Sequence, residues 1–183
     1  MLGSRAQLAE LVPVLKIAEE TGLSYSVWFT GQDREPVDDL VADLGIAPKF
    51  VSVDNPGKGS GIGSLFLWMP LTLNDCFRYV HSVKLWTTRR PMVVVCGREL
   101  LAWVGAVAGR WGGGDIVHLE SRPSSDKPFP GGLLRRQIFR KARYAICSSE
   151  ATAREMAGYS GCIVVNTEAS PHAAIEALTR WAS

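Results

Sequence analysis

One apolar run of this sequence contains two residues whose side chains can take up or release protons. In "VHLES", His118 lies within the run and Glu120 closes it. A glutamate at the carboxyl end of a strand beside a cleft can act as a general acid or base. The alternatives are a surface ion pair for Glu120 and a hydrogen-bonded core position for His118.

Arginines beside glycine turns indicate a second kind of chemistry, the binding of anions. Arg5 follows Gly3 and Ser4 and precedes an amphipathic helix, so its guanidinium and the helix N-terminus can both approach a phosphate. The alternative for Arg5 is an exposed, solvated side chain. The stretch "LLRRQIFRKAR" is either a solvated basic face or a surface that meets a diphosphate or a membrane.

The elements that position these residues alternate between strand-like and helix-like patterns. The predicted strands are Ser24–Thr30, Lys49–Val53, Pro91–Cys96, Asp115–Glu120, Tyr144–Cys147 and Cys162–Asn166. The predicted helices are Ala6–Thr21, Val37–Leu44, Ser64–Trp86, Leu100–Arg110, Leu133–Ala142, Ser149–Ala157 and Pro171–Trp181. This order predicts an α/β fold, with a Rossmann-like doubly wound parallel sheet in one domain over residues 1–183. Ligands of such sheets bind at the carboxyl ends of the strands.

Composition limits the classes of function. The chain has 183 residues, 46% of them hydrophobic and 21% charged, which is typical of a globular domain. Its net charge of +2 gives no indication of a nucleic-acid-binding surface. Four cysteines without a CxxC pair predict reduced core thiols and a cytoplasmic location, and the polar residues after Arg5 do not fit a signal peptide.

One long helical pattern leaves two interpretations open. In the first, Ser64–Trp86 packs on the sheet through a stripe of apolar side chains. In the second, the apolar run Leu65–Met69 touches a membrane surface or a partner, with Lys84, Arg89 and Arg90 nearby to attract acidic headgroups. Membrane association is therefore the alternative to a purely cytoplasmic protein.

Seven motifs together resemble one family. They are "GSRAQLAELVPVL", "TGQD", "DLGI", "VVVCGRE", "VHLES", "PFPGGLLRR" and "SSEATAREM". In order and approximate spacing they are similar to the amino-terminal half of the non-hydrolysing UDP-N-acetylglucosamine 2-epimerases, which have the two-domain GT-B fold. The resemblance implies epimerisation at C2 of a UDP-sugar through elimination and re-addition of UDP, with no metal or redox cofactor. It also implies a carboxy-terminal nucleotide-binding domain that this sequence does not contain.

The resemblance assigns roles to particular residues. Glu120 and His118 match the family's His-x-Glu and are the expected catalytic residues. The expected substrate-binding residues are Gly3, Ser4, Arg5, Gln32, Arg98, Arg135 and Ser149. No metal ligands are expected.

Departures from the family pattern weaken the expected catalysis. Asp33 stands where the family has histidine, and Arg98 replaces an aspartate of His-Gly-Asp. A guanidinium does not exchange protons near neutral pH. Gly131 and Gly132 replace two glutamates, so Glu120 is the one catalytic carboxylate retained. Each lost general acid or base costs about 10² to 10⁴ in rate, which predicts an impaired epimerase.

Three functions remain open at this stage. In the first, the chain is an impaired epimerase-like protein or one half of a split epimerase-like protein. In the second, it is the acceptor-binding subunit of a two-chain GT-B glycosyltransferase in cell-surface polysaccharide or glycolipid synthesis. In the third, it is a non-catalytic protein that binds a sugar nucleotide. The expected partners are a UDP-sugar and either a separate carboxy-terminal-domain chain or further copies of this chain.

The start of the sequence carries a further expectation. Only Met1 and Leu2 precede the turn at Gly3, whereas the resembled family has an apolar central strand there. We therefore expect a sheet that lacks most of its first strand. Weak hydrogen-exchange protection of "SYSVWFT" and "PMVVVC" in the isolated monomer is the expected sign of that loss.

Overall fold

A computed structural model describes residues 5–29, 49–52, 62–87, 90–96, 100–120, 131–147, 150–158, 163–166, 176 and 179–180. The chain divides into two compact units, Met1–Thr72 and Leu73–Ser183. In both units parallel strands alternate with helices along the chain.

The first unit contains helix α1 (Arg5–Glu20), strands β1 (Ser26–Phe29) and β2 (Lys49–Ser52), and the beginning of helix α2 (Ile62–Trp86). Helix α1 forms because its apolar residues recur at helical spacing, and it buries Leu8, Leu11, Val12 and Leu15. It ends where Gly22 adopts a φ of 68°, which lets two backbone amides cap the last turn. Strands β1 and β2 pair in parallel.

The second unit is built on a four-stranded parallel sheet. Its strands are β3 (Met92–Cys96), β4 (Asp115–Glu120), β5 (Tyr144–Cys147) and β6 (Ile163–Asn166), and they lie side by side in chain order. Parallel strands need crossover connections, and helices α3 (Leu100–Trp111), α4 (Gly131–Lys141) and α5 (Glu150–Ala157) lie in these connections. The helices therefore begin at the carboxyl edge of the sheet and end at its amino edge.

The core of the second unit lies between the sheet and its helices. Val95 of β3 and Ile116 of β4 pack with Ile138 of α4 and with small residues of α3, all buried. Phe139 packs against Ala145 and Cys147 of β5. Because α3 carries Ala and Gly on the side that faces the strands, its backbone comes close to them.

All six predicted strands are present and every paired neighbour within each ladder is parallel, so the α/β fold predicted from the sequence is confirmed. The strand pairs form two ladders, of two and four strands, and the single continuous domain stays a prediction. The helix predicted over Val37–Leu44 and most of that predicted over Pro171–Trp181 lie outside the described residues.

One of the two interpretations of the sequence was that the apolar run at the start of α2 touches a membrane surface or a partner. Trp68 is buried, so it does not present its ring to a membrane surface. Among the described residues, no helix is long and apolar enough to cross a membrane.

Candidate functional site

The carboxyl edge of the four-stranded sheet brings together the ends of β3, β4, β5 and β6. Glu120 pairs with Cys147 of β5, and Cys147 pairs with Asn166 of β6, so these three positions are level with one another. Neighbouring strands lie about 4.8 Å apart, which places the three backbone positions within roughly 10 Å. Residue 120 is therefore at the edge where parallel α/β sheets bind ligands.

Three helices begin at this same edge and give it a positive electrostatic character. Helix α3 begins at Leu100, α4 at Gly131 and α5 at Glu150. Each helix N-terminus carries free backbone amides and about half a positive charge, which favours anions. In α4 the first two residues are Gly131 and Gly132, so its first turn offers backbone amides without side chains.

His118 lies two residues before the end of β4 and is fully buried. Its ring meets the edge of the Phe139 ring, with centroids 5.0 Å apart and planes at 67°. In the sheet it stands between Val95 and Ala145. These contacts favour the core histidine that the sequence left open as an alternative, and a catalytic role for His118 stays a prediction.

The other predicted site residues are described in part or not at all. The backbone positions of Arg5, Glu120 and Arg135 are given by α1, β4 and α4 respectively, without their side chains. Gly3, Ser4, Gln32, Arg98 and Ser149 lie outside the described residues. Among the predicted residues, Glu120 and Arg135 are thus brought to the second unit, on consecutive elements of its sheet and helices.

The carboxylate at the start of α5 is already engaged by a neighbour. Glu150 accepts a hydrogen bond from Arg154 at 2.5 Å, one helical turn later. Their side chains are 65% and 76% exposed, so the pair contributes at most a few tenths of a kcal/mol. Glu150 and Arg154 together add no net charge at the start of α5.

The thiols of the described residues are unsuited to nucleophilic chemistry. Cys96 and Cys147 end β3 and β5 and are buried. Burial raises the pKa of the Cys76 thiol, on α2, to about 12. No group of three or more metal-ligating side chains occurs in the described part of the chain.

An ion cluster around Asp115 was not predicted from the sequence. Asp115, the first residue of β4, accepts a hydrogen bond from Arg143 at 2.8 Å and lies 3.9 Å from the guanidinium of Arg90. Arg143 immediately precedes β5 and Arg90 lies two residues before β3. Both strands pair with β4, so the register of parallel strands is the signal that predicts such a cluster. It lies at the amino edge, opposite the candidate site.

The fold defines a Rossmann-like α/β domain of the type found in GT-B proteins. Solved structures with this fold include a UDP-N-acetylglucosamine 2-epimerase (TM-score 0.72, 16% identity), which covers 91% of this chain. The S. aureus MnaA–UDP co-structure (TM-score 0.68, 20% identity) also covers 91%, and the UDP-GlcNAc 2-epimerase from Methanocaldococcus jannaschii (TM-score 0.64, 18% identity) covers 90%.

The likeness to these epimerases is one of fold and extends over part of their length. This chain spans 47%, 42% and 44% of the three structures respectively, so it corresponds to less than half of each. No family model matches the sequence, and no curated protein matches it.

Proposed function

We propose that this chain is an epimerase-type domain that binds a UDP-sugar at the carboxyl edge of its sheet and is impaired in epimerisation. The observation that carries the proposal is the fold shared with UDP-GlcNAc 2-epimerases, one of which is a complex with UDP. The N-termini of α3, α4 and α5 at that edge suit a diphosphate. Glu120 is the residue we assign to proton transfer.

Epimerisation should be impaired because glycines occupy positions where the resembled family has carboxylates that act as general acids and bases. Gly131 and Gly132 form the first turn of α4 and carry no side chain to move a proton. With the carboxylate at Glu120 alone, each further missing general acid or base lowers the rate by about 10² to 10⁴. Binding is affected less, because backbone amides and not carboxylates attract the diphosphate.

The test measures binding and turnover separately. Calorimetry should show that the chain binds UDP-GlcNAc. Nuclear magnetic resonance should show that the rate of conversion to UDP-ManNAc is at least about 10²-fold lower than that of an intact epimerase. Glu120→Gln should lower any residual turnover by about 10² or more without weakening binding. Glu20→Gln, at the exposed end of α1, is the matched control and should change neither.

Two results would contradict the proposal in different ways. Turnover equal to an intact epimerase would show that impairment is wrong. Absence of any UDP-sugar binding, in a chain that is folded by circular dichroism, would show that the carboxyl edge has another ligand.

A second candidate function is the acceptor-binding subunit of a two-chain GT-B glycosyltransferase in polysaccharide or glycolipid synthesis. It is favoured by the combination of the shared fold with glycines at the start of α4, where the resembled family has glutamates. A subunit of this kind needs a separate nucleotide-binding chain, whereas the first candidate binds the UDP-sugar alone. The calorimetry above distinguishes them.

A further inference from the structure

The amino edge of the four-stranded sheet exposes large apolar side chains. Helix α2 ends at Leu85 and Trp86, whose exposed fractions are 72% and 89%, and α3 ends at Trp111, which is 63% exposed. Exposing three such side chains to water is unfavourable. Single apolar residues scattered over a protein surface are normal, whereas several large ones at one edge of a sheet need an explanation.

The ends of α2 and α3 lie against each other at this edge. A Cβ added to Gly112, the residue after α3, would lie 2.8 Å from Cβ of Val80 on α2. A Cβ added to Gly113 would lie 2.6 Å from Nζ of Lys84. The two residues that follow Trp111 are therefore packed on the turn of α2 that precedes Leu85 and Trp86, which brings the ends of the two helices together at this edge.

Cations lie along the same edge of the sheet. Six lysines and arginines of the second unit lie at the ends of helices or at the starts of strands along the amino edge: Lys84, Arg90, Arg110, Arg140, Lys141 and Arg143. Among the described residues of these segments, Asp115 is the one carboxylate at the edge. We call Leu85, Trp86 and Trp111 with these six cations the amino-edge patch. Because the whole chain carries a net charge of only +2, the patch is a local concentration of positive charge.

We propose that the amino-edge patch binds the surface of an anionic lipid bilayer. Tryptophan and leucine insert at the boundary between headgroups and acyl chains, while lysine and arginine attract anionic headgroups. Unpaired bases of a nucleic acid could stack on the exposed indoles, but a nucleic acid would leave the aliphatic Leu85 side chain without a role, whereas a bilayer uses all three apolar side chains and the cations. The inference holds whether or not the carboxyl edge binds a UDP-sugar.

The test is cosedimentation of the full chain with lipid vesicles. The chain should bind vesicles of equal parts phosphatidylglycerol and phosphatidylcholine, should not bind phosphatidylcholine alone, and should be released by high salt. Trp86→Ala with Trp111→Ala should lower partitioning about tenfold or more. Neutralising Lys84, Arg110 and Arg140 to glutamine should lower it about a hundredfold, at roughly fivefold for each charge.

Controls separate the patch from general surface effects. Leu71→Ala removes a leucine that is 65% exposed but lies outside the patch, and Lys16→Gln removes an exposed cation of α1. Each should leave partitioning within about twofold of the unmodified chain. Since the changed side chains are exposed, every variant should keep the circular dichroism spectrum of the parent.

Three results would overturn the inference. They are equal binding to both kinds of vesicle, binding to neither, and loss of binding in the control variants as large as in the patch variants. Concentration-dependent dimerisation that the double tryptophan variant abolishes, with no vesicle binding, would instead identify the patch as an interface between copies of this chain.

Discussion

Replacement of Gly109 by alanine tests how closely α3 packs on the sheet that carries the candidate site. The position of an added Cβ lies 2.6 Å from Cδ1 of Ile116 on β4, and 3.0 Å and 3.1 Å from two carbons of Val93 on β3. Carbon atoms in optimal contact are about 3.5 to 4.0 Å apart, so all three distances are too short. The glycine is therefore required by the helix–sheet distance.

The expected cost of Gly109→Ala follows from two opposing effects. Overpacking a filled core costs about 1 to 3 kcal/mol. Alanine is favoured over glycine within a helix by about 1 kcal/mol. Because Ile116 is fully buried and has little room to move, we expect a net loss of about 1 kcal/mol in the free energy of unfolding.

A double-mutant cycle isolates the clash. Ile116→Val removes Cδ1, the atom nearest to the added Cβ, and by itself costs about 0.5 to 1.5 kcal/mol. In that background Gly109→Ala should destabilise less, because only the two longer contacts with Val93 remain, so the coupling between the two changes should be at least about 0.5 kcal/mol. Urea unfolding, followed by circular dichroism and by tryptophan fluorescence, measures each free energy.

The control for this cycle is Gly112→Ala. An added Cβ there would meet Val80 of α2 at 2.8 Å and has no close contact with Ile116. Its cost should therefore be the same with isoleucine or valine at position 116. Additive free energies for Gly109→Ala and Ile116→Val, or equal coupling in the control, would refute the assigned contact.

Further measurements address the thiols and the end of α3. Burial raises the pKa of Cys76 to about 12, so the unfolded chain loses this proton first and stability should fall between about pH 9 and pH 12, by up to about 1.4 kcal/mol per pH unit. Urea unfolding should show this slope, and Cys76→Ala should reduce it. Tyr25, whose pKa is also raised by burial and by Glu19, keeps its own share above about pH 10. Cys96 and Cys147 should stay unmodified by a thiol reagent in the native state. Gly113→Ala should lower stability by about 1 to 2 kcal/mol and Gly113→Asn by less, because the φ of 85° there is left-handed.

The strands were predictable because each carries its own signal. "MVVVC" and "YAIC" are short apolar runs between turn residues, and a run that is apolar on both faces suits only a covered parallel strand. Helix α2 was predictable in spite of Pro70, since its apolar residues keep the helical period on both sides of that proline. Local pattern therefore determines the elements and their order.

Tertiary packing decided what the pattern left open. The same apolar character describes Trp68 and Trp86 of α2, yet the first is buried and the second is 89% exposed. Which tryptophan faces solvent depends on what covers each end of the helix, and hydrophobic period carries no information about that. The membrane contact that the sequence allowed as one of two interpretations lay at the start of α2, whereas Trp86, with an indole 89% exposed, is at its end.

The candidate site was predictable to the level of the sheet edge and no further. Glu120 was expected at the carboxyl end of a strand, and β4 ends at that residue. His118 was expected either in the core or in catalysis, and its full burial, with the ring against Phe139 from α4, favours the core. That contact joins residues on different elements, so strand periodicity alone does not reveal it.

The parallel sheet relates the two proposals to each other. Every strand of the second unit runs from the amino edge, where Asp115 pairs with Arg143, to the carboxyl edge, where Glu120 lies. A strand of five or six residues separates those edges by roughly 17 to 20 Å. If the amino-edge patch lies on a bilayer, the carboxyl edge points away from the lipid and stays open to a water-soluble UDP-sugar. The two surfaces can therefore be occupied together, and vesicle binding should leave the affinity for UDP-GlcNAc unchanged.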